Sequence, residues 1–272
     1  KETRDLIQLV QYVGADPNPN YYSYDNIDFK TTKGFSLAYD LRQTKNIRLS
    51  ANYTLQYAEG TGISQTTMQQ LIKEGFSSLK VLSPIADDRR HEFKLNLDFR
   101  YSGGKKYNGP TWTRKVKDEN GEERAKTINL LENFGVNINA VAQSGRPYTK
   151  AKSNTESTIV GSYRGARLPW GFYIDAVVDK MWTIKVGSKG RDTYLRAAVA
   201  VTNLFDIRNI LGVYPVTGNP DDNGYLTDPG TQSLINAYMN PNSFRDIYSI
   251  MLMNSWNYST PRLIRLELTY QF

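Results

Sequence analysis

Hydrophobic and polar residues alternate along much of this chain with a period of two, which is the pattern of a β-strand with one apolar and one polar face. Between residues 47 and 57 every odd-numbered position is apolar and every even-numbered position is polar. The same alternation indicates strands at 5–12, 35–42, 92–101, 133–140, 172–179, 195–201 and 264–272. The sequence therefore predicts eight strands.

Soluble β-sandwiches alternate in the same way, and three further features favour a membrane-spanning barrel. Several strands reach about ten residues, the length that crosses a bilayer at a tilt of about 45°. Their polar faces are rich in charge, and their apolar faces end in aromatic residues, as interfacial girdles do. Long connections at 14–30, 58–89, 144–170 and 205–257 fall on one side, although the long segment 102–129 falls on the other. We predict an all-β, antiparallel transmembrane β-barrel.

Alternation also predicts which residues face lipid and which face the lumen of the barrel. The predicted lipid-facing set includes Leu49, Leu55, Leu97 and Leu266. The predicted lumen-facing set has mixed charge and includes Arg42, Arg48, Asn96, Arg100, Asp175, Arg196, Arg265 and Glu267.

Three segments depart from the simple strand pattern. Lys180 interrupts the apolar face of the sixth strand, which resumes at Trp182, so either its side chain reaches an interface or the strand carries a bulge. Helical spacing predicts short helices at 231–238 and 243–251, the second from Ile247, Ile250 and Met251. The basic residues at 114–126 are interpreted as a solvated loop tip.

Composition excludes several classes of protein. With 272 residues, 22% charged and 39% hydrophobic, the chain is neither a disordered polyelectrolyte nor a helical membrane protein. It has no Cys and one His, which excludes disulfide scaffolds, Cys-ligated zinc and thiol catalysis. The net charge of +7 is scattered among 27 acidic residues, so we expect no nucleic-acid partner. The chain begins at Lys1 without a signal-peptide pattern, so we expect a mature protein or a fragment of one.

The last strand ends in an aromatic residue after alternating apolar positions. It resembles the sorting signal that the outer-membrane insertion machinery reads, in which an edge strand offers its backbone and aromatic side chains to a receptor. The alternative is a soluble strand that happens to end in Phe. The signal residues are Ile264, Leu266, Leu268, Tyr270 and Phe272.

A wider resemblance appears once the last strand is recognised. The chain resembles the C-terminal barrel of TonB-dependent outer-membrane receptors, and most closely those nutrient transporters of Gram-negative bacteria that carry an N-terminal carboxypeptidase-regulatory-like domain. The motifs that carry this resemblance are Asp88–His91, Tyr107–Pro110, Leu130–Gly135, Ser144–Thr149, Ala166–Trp170, Val201–Asp206 and Gly218–Tyr225.

The resemblance implies both a fold and a function. Such receptors have a barrel of about 22 strands around a plug, preceded by a segment that contacts TonB. Residues 1–272 contain neither plug nor TonB-contact segment, so we expect a single barrel segment, the last third of such a barrel. The implied function is import of a nutrient across the bacterial outer membrane, powered by TonB and the proton gradient.

The resemblance also implies partners. These are outer-membrane lipids, the barrel-insertion machinery, the TonB system acting through the missing N-terminal part, and a surface lipoprotein, while the nutrient stays unspecified. Ligand capture would fall to the external loops, where the alternative for each aromatic side chain is packing within the loop. The candidate contacts are Tyr148, Trp170, Tyr214, Asp222, Tyr225 and Trp256.

Catalytic and metal sites are not predicted. His91 lies beside Asp87 and Asp88, but strand parity places it with Phe93 on the lipid side, so we expect neither catalysis nor a cofactor. The segment 219–230 matches the first half of a calcium loop but ends in Gly230 where a bidentate Glu is needed, which favours a turn over a weak calcium site.

Two rival functions stay open. The first is a self-contained eight-stranded outer-membrane barrel with a structural or adhesive role, in which mixed interior charges would form an ion-pair network. The second is a barrel enzyme with a catalytic site at its rim.

Overall fold

The computed structural model describes residues 1–12, 21–61, 82–117, 123–153, 159–186 and 191–272. The strands are β1 (Glu2–Tyr12), β2 (Tyr21–Thr44), β3 (Ile47–Gly60), β4 (Ser83–Pro84), β5 (His91–Arg100), β6 (Thr111–Lys117), β7 (Glu123–Asn129), β8 (Phe134–Gln143), β9 (Pro147–Tyr148), β10 (Ala166–Arg167), β11 (Gly171–Val186), β12 (Arg191–Thr202) and β13 (Leu263–Gln271). The α-helices are α1 (Gln232–Asn236) and α2 (Pro241–Leu252), and 3-10 turns occur at Gly104–Lys106, Pro229–Thr231 and Ser255–Asn257.

One antiparallel sheet dominates the fold. Its strand order is β1-β2-β3-β5-β8-β11-β12-β13, so neighbours in space are neighbours in sequence, apart from short inserted strands. Each alternating segment of the sequence lies in one of these eight strands, which confirms the all-β, antiparallel prediction. The short strand β4 adds to the end of β3, while β6–β7 and β9–β10 form two separate hairpins.

Strand β2 is much longer than the alternation predicts. It begins at Tyr21, so most of the segment 14–30 that we expected to be a loop is strand. The alternation of apolar and polar residues is absent from 21–30, because Tyr and Asp residues occupy both faces of the strand there. Correspondingly, β1 begins at Glu2, not at Asp5, which has a positive φ of +59° at an irregularity in the pairing.

The pairing of β2 changes partner halfway along the strand. Strand β1 pairs with its first half, from Tyr12 opposite Tyr21 to Glu2 opposite Thr31, and β3 pairs with it from Lys30 onward. The β1–β2 hairpin therefore extends beyond the rest of the sheet at the long-loop end. The predicted count of eight strands in the main sheet is confirmed, although only seven of them run the height of the sheet and β1 does not.

The connections follow the sequence only in part. A two-residue turn at Lys45–Asn46 joins β2 to β3, with Lys45 at a φ of +54°. The segment 102–129, predicted as a long connection on the short-turn side, contains the β6–β7 hairpin, and Arg114 and Lys126 are opposite each other in it. The predicted basic tip is therefore largely strand, while 118–122 lie outside the described residues.

Within the described ranges, few apolar side chains are buried. They are Ala58, Ala198, Ile235 and Leu252. The first two belong to the sheet, and the other two hold the helical segment together. A sandwich would bury an apolar layer between two sheets, and no second layer covers this sheet among the described residues.

Candidate functional site: two opposite faces and a helical cap

The strand register places the apolar residues of the sheet on one face. Directly opposed residues of antiparallel strands point to the same side. One row crosses seven strands through Leu41, Leu49, Leu97, Ile138, Ala176, Val201 and Ile264. Leu266 lies in the next row and Leu55 three rows away on the same apolar face, on which Leu266 is 71% exposed. The face is therefore continuous and uncovered within the described part of the chain.

The opposite face carries polar and charged side chains, including Arg48, Asn96 and Arg265, as parity predicts. Asn96 donates a hydrogen bond of 2.9 Å from Nδ2 to Oδ1 of Asn139 on the next strand. Such side-chain bonds between neighbouring strands fix the register from the polar side. Both predicted sets of residues thus fall on the predicted opposite faces.

A buried aspartate organises the charges at the short-turn end of the polar face. Asp179 is 4% exposed and accepts two hydrogen bonds from Arg100, of 2.8 and 3.1 Å. Nε of Arg196 lies 3.4 Å from the same carboxylate. Two guanidinium groups therefore hold one carboxylate that is closed off from solvent.

Aromatic rings line the apolar face near the long-loop end. The ring of His91 stacks between Tyr53, at 6.2 Å, and Trp170, at 5.8 Å, and Trp170 continues to Phe172 at 6.4 Å. The Tyr53 hydroxyl lies 3.0 Å from Nδ1 of His91. His91 therefore belongs to an aromatic row on the apolar face, as its parity with Phe93 predicts.

The Lys180 side chain points outward on the apolar face, because β11 pairs with both of its neighbours, β12 and β8, without a bulge. Its ammonium group donates a 2.6 Å hydrogen bond to the Leu130 carbonyl and lies 5.8 Å from the Trp182 ring. The side chain thus crosses the apolar surface and places its charge at the short-turn end of the sheet, which is snorkelling.

Asp88 makes its hydrogen bonds with residues other than His91. Its carboxylate accepts a 2.9 Å hydrogen bond from the Ala58 amide and pairs with the guanidinium of Arg167, which also donates to the Asp88 carbonyl at 2.7 Å. The buried carboxylate therefore ties β3 to β10. The resemblance motifs contain both residues, but sequence alone did not connect them because they are far apart in the chain.

Two residues with positive φ close the base of the segment between β12 and β13. Asn203, at +55°, accepts a hydrogen bond from the Ile207 amide and donates to the carbonyls of Ile207 and Thr260. Asp206, also at +55°, accepts from the Arg262 amide at 2.8 Å. The Asn-Leu-Phe-Asp motif is thus a joint that holds the two ends of the segment together.

The segment 205–262 folds as a cap, which contains both predicted helices. Helix α2 has Pro241 at its first turn, and Asn240 accepts a hydrogen bond from the Ser243 amide. The residues that suggested this helix are nevertheless exposed, Met251 by 73%, while Leu252 is buried. The helix is therefore confirmed, but its packed side is the one that carries Leu252.

Two of the predicted ligand contacts pack within the cap. Tyr214 donates from its hydroxyl to the Leu252 carbonyl at 2.9 Å. Tyr225 lies against Tyr248, with ring centroids 5.1 Å apart. Both rings therefore contribute to the cap's own structure, which was the alternative interpretation.

The remaining aromatic candidates lie on three different parts of the fold. Trp170 lies in the aromatic row beside His91, outside the cap. Tyr148, in the two-stranded sheet of β9 and β10, is half-buried, and its hydroxyl lies beside Gly218 of the cap. Trp256 is 86% exposed on the cap and is the most accessible of the candidates. The three aromatic side chains thus have different surroundings, and Tyr148 is the one that lies against the cap from outside it.

Residues 219–230 form a series of tight turns. The side-chain oxygens of Asn219, Asp222 and Asn223 each accept a hydrogen bond from the backbone N–H two residues ahead. This arrangement is the turn that the sequence favoured. Asp221 instead accepts a hydrogen bond from Tyr258, which raises the pKa of that phenol above its ordinary value.

Sequence reasoning missed a cavity of about 210 Å³ at the long-loop end of the polar face. Arg89 and Arg146 line it together with Gln143 and Tyr173. Arg146 lies 3.9 Å from the Asp87 carboxylate, a weak ion pair between exposed groups. Two arginines on one small cavity suit an anionic or hydroxyl-rich ligand group.

The terminal strand presents all its predicted signal residues outward. Ile264, Leu266, Leu268 and Tyr270 are each more than half exposed, and Phe272 is 97% exposed. Strand β13 pairs with β12 alone among the described residues, so its other edge is open. An open edge and an exposed aromatic end are what recognition by strand addition requires.

The described ranges contain no group of three or more His, Cys, Asp or Glu side chains placed to hold a metal ion. No helix of that part of the chain has the length and apolar character to span a membrane.

No known protein family and no curated protein matches the sequence. A comparison of folds with solved structures matches the outer membrane transporter YddB from Escherichia coli, with a TM-score of 0.43 and 14% sequence identity. The match covers 77% of this chain and 26% of that chain. The chain therefore spans about a quarter of the length of that transporter.

Proposed function

We propose that this chain forms part of the wall of a bacterial outer-membrane β-barrel that imports a nutrient, with energy delivered through TonB. The observation that carries the proposal is the register of the sheet, which collects apolar side chains on one face and charged ones on the other. Within the described residues neither face is covered by a second layer. Lipid on one side and a water-filled lumen on the other satisfy both faces.

The spacing of the aromatic residues supports the membrane part of the proposal. Phe172 and Trp182 lie on the apolar face of β11, ten residues apart. That separation is about 33 Å along a strand and about 23 Å in height at a tilt of about 45°, close to the roughly 25 Å apolar band of such barrels.

The open edges of the sheet support a larger barrel. From Lys33 onward β2 pairs only with β3 among the described residues, and β13 pairs only with β12. In lipid each unsatisfied backbone group costs several kcal/mol. The open edges therefore favour a wall that further strands continue on both sides, as in the proposed larger barrel of which this chain is the C-terminal part.

Energy coupling and ligand capture rest on the resemblance of the motifs. The TonB system would act through an N-terminal part outside this sequence, and the long-loop end would face the outside, where a surface lipoprotein partner would dock. Trp256 and the cavity with Arg89 and Arg146 are the accessible candidates for ligand contact. We assign no catalytic role and no cofactor to the described residues.

Site-directed spin labelling tests the membrane assignment. Nitroxides at Leu97 and Leu266 should be more accessible to apolar oxygen than nitroxides at Asn96 and Arg265, because oxygen partitions into lipid. The measurement is made on the full-length protein in outer-membrane vesicles. Equal accessibility of the two sets contradicts the barrel.

The eight-stranded rival has one observation in its favour, the ion-pair cluster of Arg100, Asp179 and Arg196 on the polar face. A narrow barrel fills its interior with such pairs. Against it, β1 pairs only with the outer half of β2 and not with β13 in the described part. The mass of the native polypeptide in outer membranes distinguishes the eight-stranded barrel from the receptor, because a receptor would be near three times the length of this chain.

A further inference from the structure

An apolar groove runs across the apolar face of the sheet near its long-loop end. Its volume is about 400 Å³, and its floor is formed by Ala51, Ala140 and Ala142. The groove exists because these small residues sit between large ones in the same rows. Its walls include the rings of Tyr53, Phe93 and Phe172.

The groove matches the shape and polarity of a hydrocarbon chain. Its lining is almost wholly apolar, and an open depression a few side chains long on an apolar surface accepts a flexible chain better than a compact ligand. The aromatic walls add contact area without a large loss of side-chain entropy.

Two cations lie above the groove, towards the long loops. Tyr57 is four residues beyond Tyr53 on β3, about 13 Å along the strand. The Arg90 guanidinium stacks on the Tyr57 ring at 4.7 Å, and Lys33 is opposite Tyr57 on β2 and exposed. Arg90 Nε is buried without a hydrogen-bond partner, 3.6 Å from the Asp88 carboxylate.

The charge around these cations favours an anion. The 1% exposed Asp88 carboxylate is shared between two guanidinium groups, those of Arg90 and Arg167, so this cluster keeps an excess of one positive charge. The facing acid on the same side of β3 is Glu59, one row further from the groove. The surface between Tyr57 and the groove therefore has two cations and no carboxylate among the described residues.

We propose that this surface is a specific site for lipid A, with one acyl chain in the alanine-floored groove and a phosphate held by Arg90 and Lys33. The inference rests on the proposed function, which places this face in lipid and the long-loop end outside, in the leaflet that contains lipid A. Tyr53 on the groove wall and Tyr57 beside the cations are about 13 Å apart along β3, so one amphiphile with an acyl chain and a phosphate has to span a distance of that order. Charge-assisted bonds to a phosphate from Arg and Lys are among the stronger hydrogen bonds.

Native mass spectrometry of the full-length protein in mild detergent, titrated with purified lipid A, tests the site. The double variant Lys33→Gln/Arg90→Gln should lower the affinity about tenfold or more, because two charge-assisted bonds are lost. Ala142→Leu fills the groove with an apolar side chain and should lower the affinity several-fold while the face stays compatible with lipid. Lys33→Gln alone covers the possibility that Arg90 is needed for folding, since Lys33 is exposed.

Matched controls are Arg48→Gln on the polar face and Val199→Leu on the apolar face away from the groove, and both should leave lipid A binding unchanged. Phosphatidylglycerol is titrated as a second ligand. If the protein binds it as tightly as lipid A, the site is not specific for lipid A. Binding that the groove and cation variants leave unchanged overturns the site. If spin labels at Leu97 and Asn96 in the same preparation are equally accessible to oxygen, the proposed function fails; if only the lipid result is negative, the site alone fails.

Discussion

The guanidinium of Arg100 reaches across an intervening strand to bind both carboxylate oxygens of Asp179, at 2.8 and 3.1 Å. The strand between them is β8, and Gly135 occupies the position between the two residues. A Cβ at Gly135 would lie 2.5 Å from Nη2 of Arg100. The absence of a side chain there is therefore what permits the pair, and it explains the glycine of the Glu-Asn-Phe-Gly motif.

We predict that Asp179→Asn destabilises the full-length protein by about 2 kcal/mol, because the charge-assisted bonds to Arg100 and Arg196 are lost. The loss is smaller than for a fully buried pair since Arg100 is 40% exposed and can be hydrated. Urea unfolding in detergent measures it, with Asp40→Asn, an exposed aspartate of the same face, as control. Equal stability of the two variants contradicts a stabilising cluster.

Leu97→Arg should impair assembly far more than Asn96→Arg, although the two positions are adjacent. A charged side chain that faces lipid near the midplane costs about 2–4 kcal/mol, whereas one in the lumen is hydrated. The amount of heat-modifiable protein in the outer membrane measures assembly. Similar levels of the two variants would mean that the two faces do not differ in environment.

We predict that both Asn203→Ala and Asn203→Gly destabilise the cap, and that Ala does so more because it adds backbone strain to the loss of hydrogen bonds. Ala loses the side-chain hydrogen bonds and also strains a backbone at a φ of +55° by about 1–3 kcal/mol, while Gly loses the bonds without the strain. Cap stability, followed by hydrogen exchange in 205–262, should fall in the order wild type, Gly, Ala. Identical exchange for Gly and wild type would show that the bonds contribute nothing.

Much of this sheet follows from its sequence. Strands with one apolar and one polar face, such as β3 and β5, were predicted within a few residues, because the alternation itself records the two environments. The first half of β2 was missed since neither of its faces is predominantly apolar. The hairpin β6–β7 was missed for the same reason, its polar Thr and Lys residues resembling a loop.

The site was less predictable than the fold. The cluster at Asp179 and the Asp88–Arg167 pair join residues that are 79 positions apart, and a single sequence does not show such contacts. Five of the six candidate ligand residues are loop aromatics and the sixth is Asp222, yet Tyr214 and Tyr225 support the cap. An aromatic residue that is exposed on a loop and one that packs within the loop look the same in the sequence. Only the three-dimensional structure distinguishes them.

The cap should loosen at high pH through Tyr258. Its hydrogen bond to Asp221 favours the neutral phenol and raises the pKa of Tyr258 above the ordinary value of about 10. The bond's contribution to folding is thus fully present below the ordinary pKa and is lost as the pH rises through the raised one. Limited proteolysis of 205–262 should accelerate there, less so in Tyr258→Phe, which lacks the bond at every pH. The same pH response in both would exclude this pair as its source.

Phe272 should matter for delivery more than for stability. It is 97% exposed at the end of β13, so its deletion removes little packing within the described residues. Even if lipid covers the ring, the loss is about 2 kcal/mol, which a large barrel tolerates. If the terminal strand is the sorting signal that the resemblance implies, the insertion machinery recognises it before folding, and this recognition needs the aromatic end and the open strand edge together. We therefore predict that deletion of Phe272, or Phe272→Asp, sharply lowers the outer-membrane level in cells and leaves refolding yield in detergent nearly unchanged.

Phe244→Leu, a change in the cap that leaves the terminus intact, is the control for reduced stability. Normal surface abundance of the truncated protein would rule out a dominant signal at this residue.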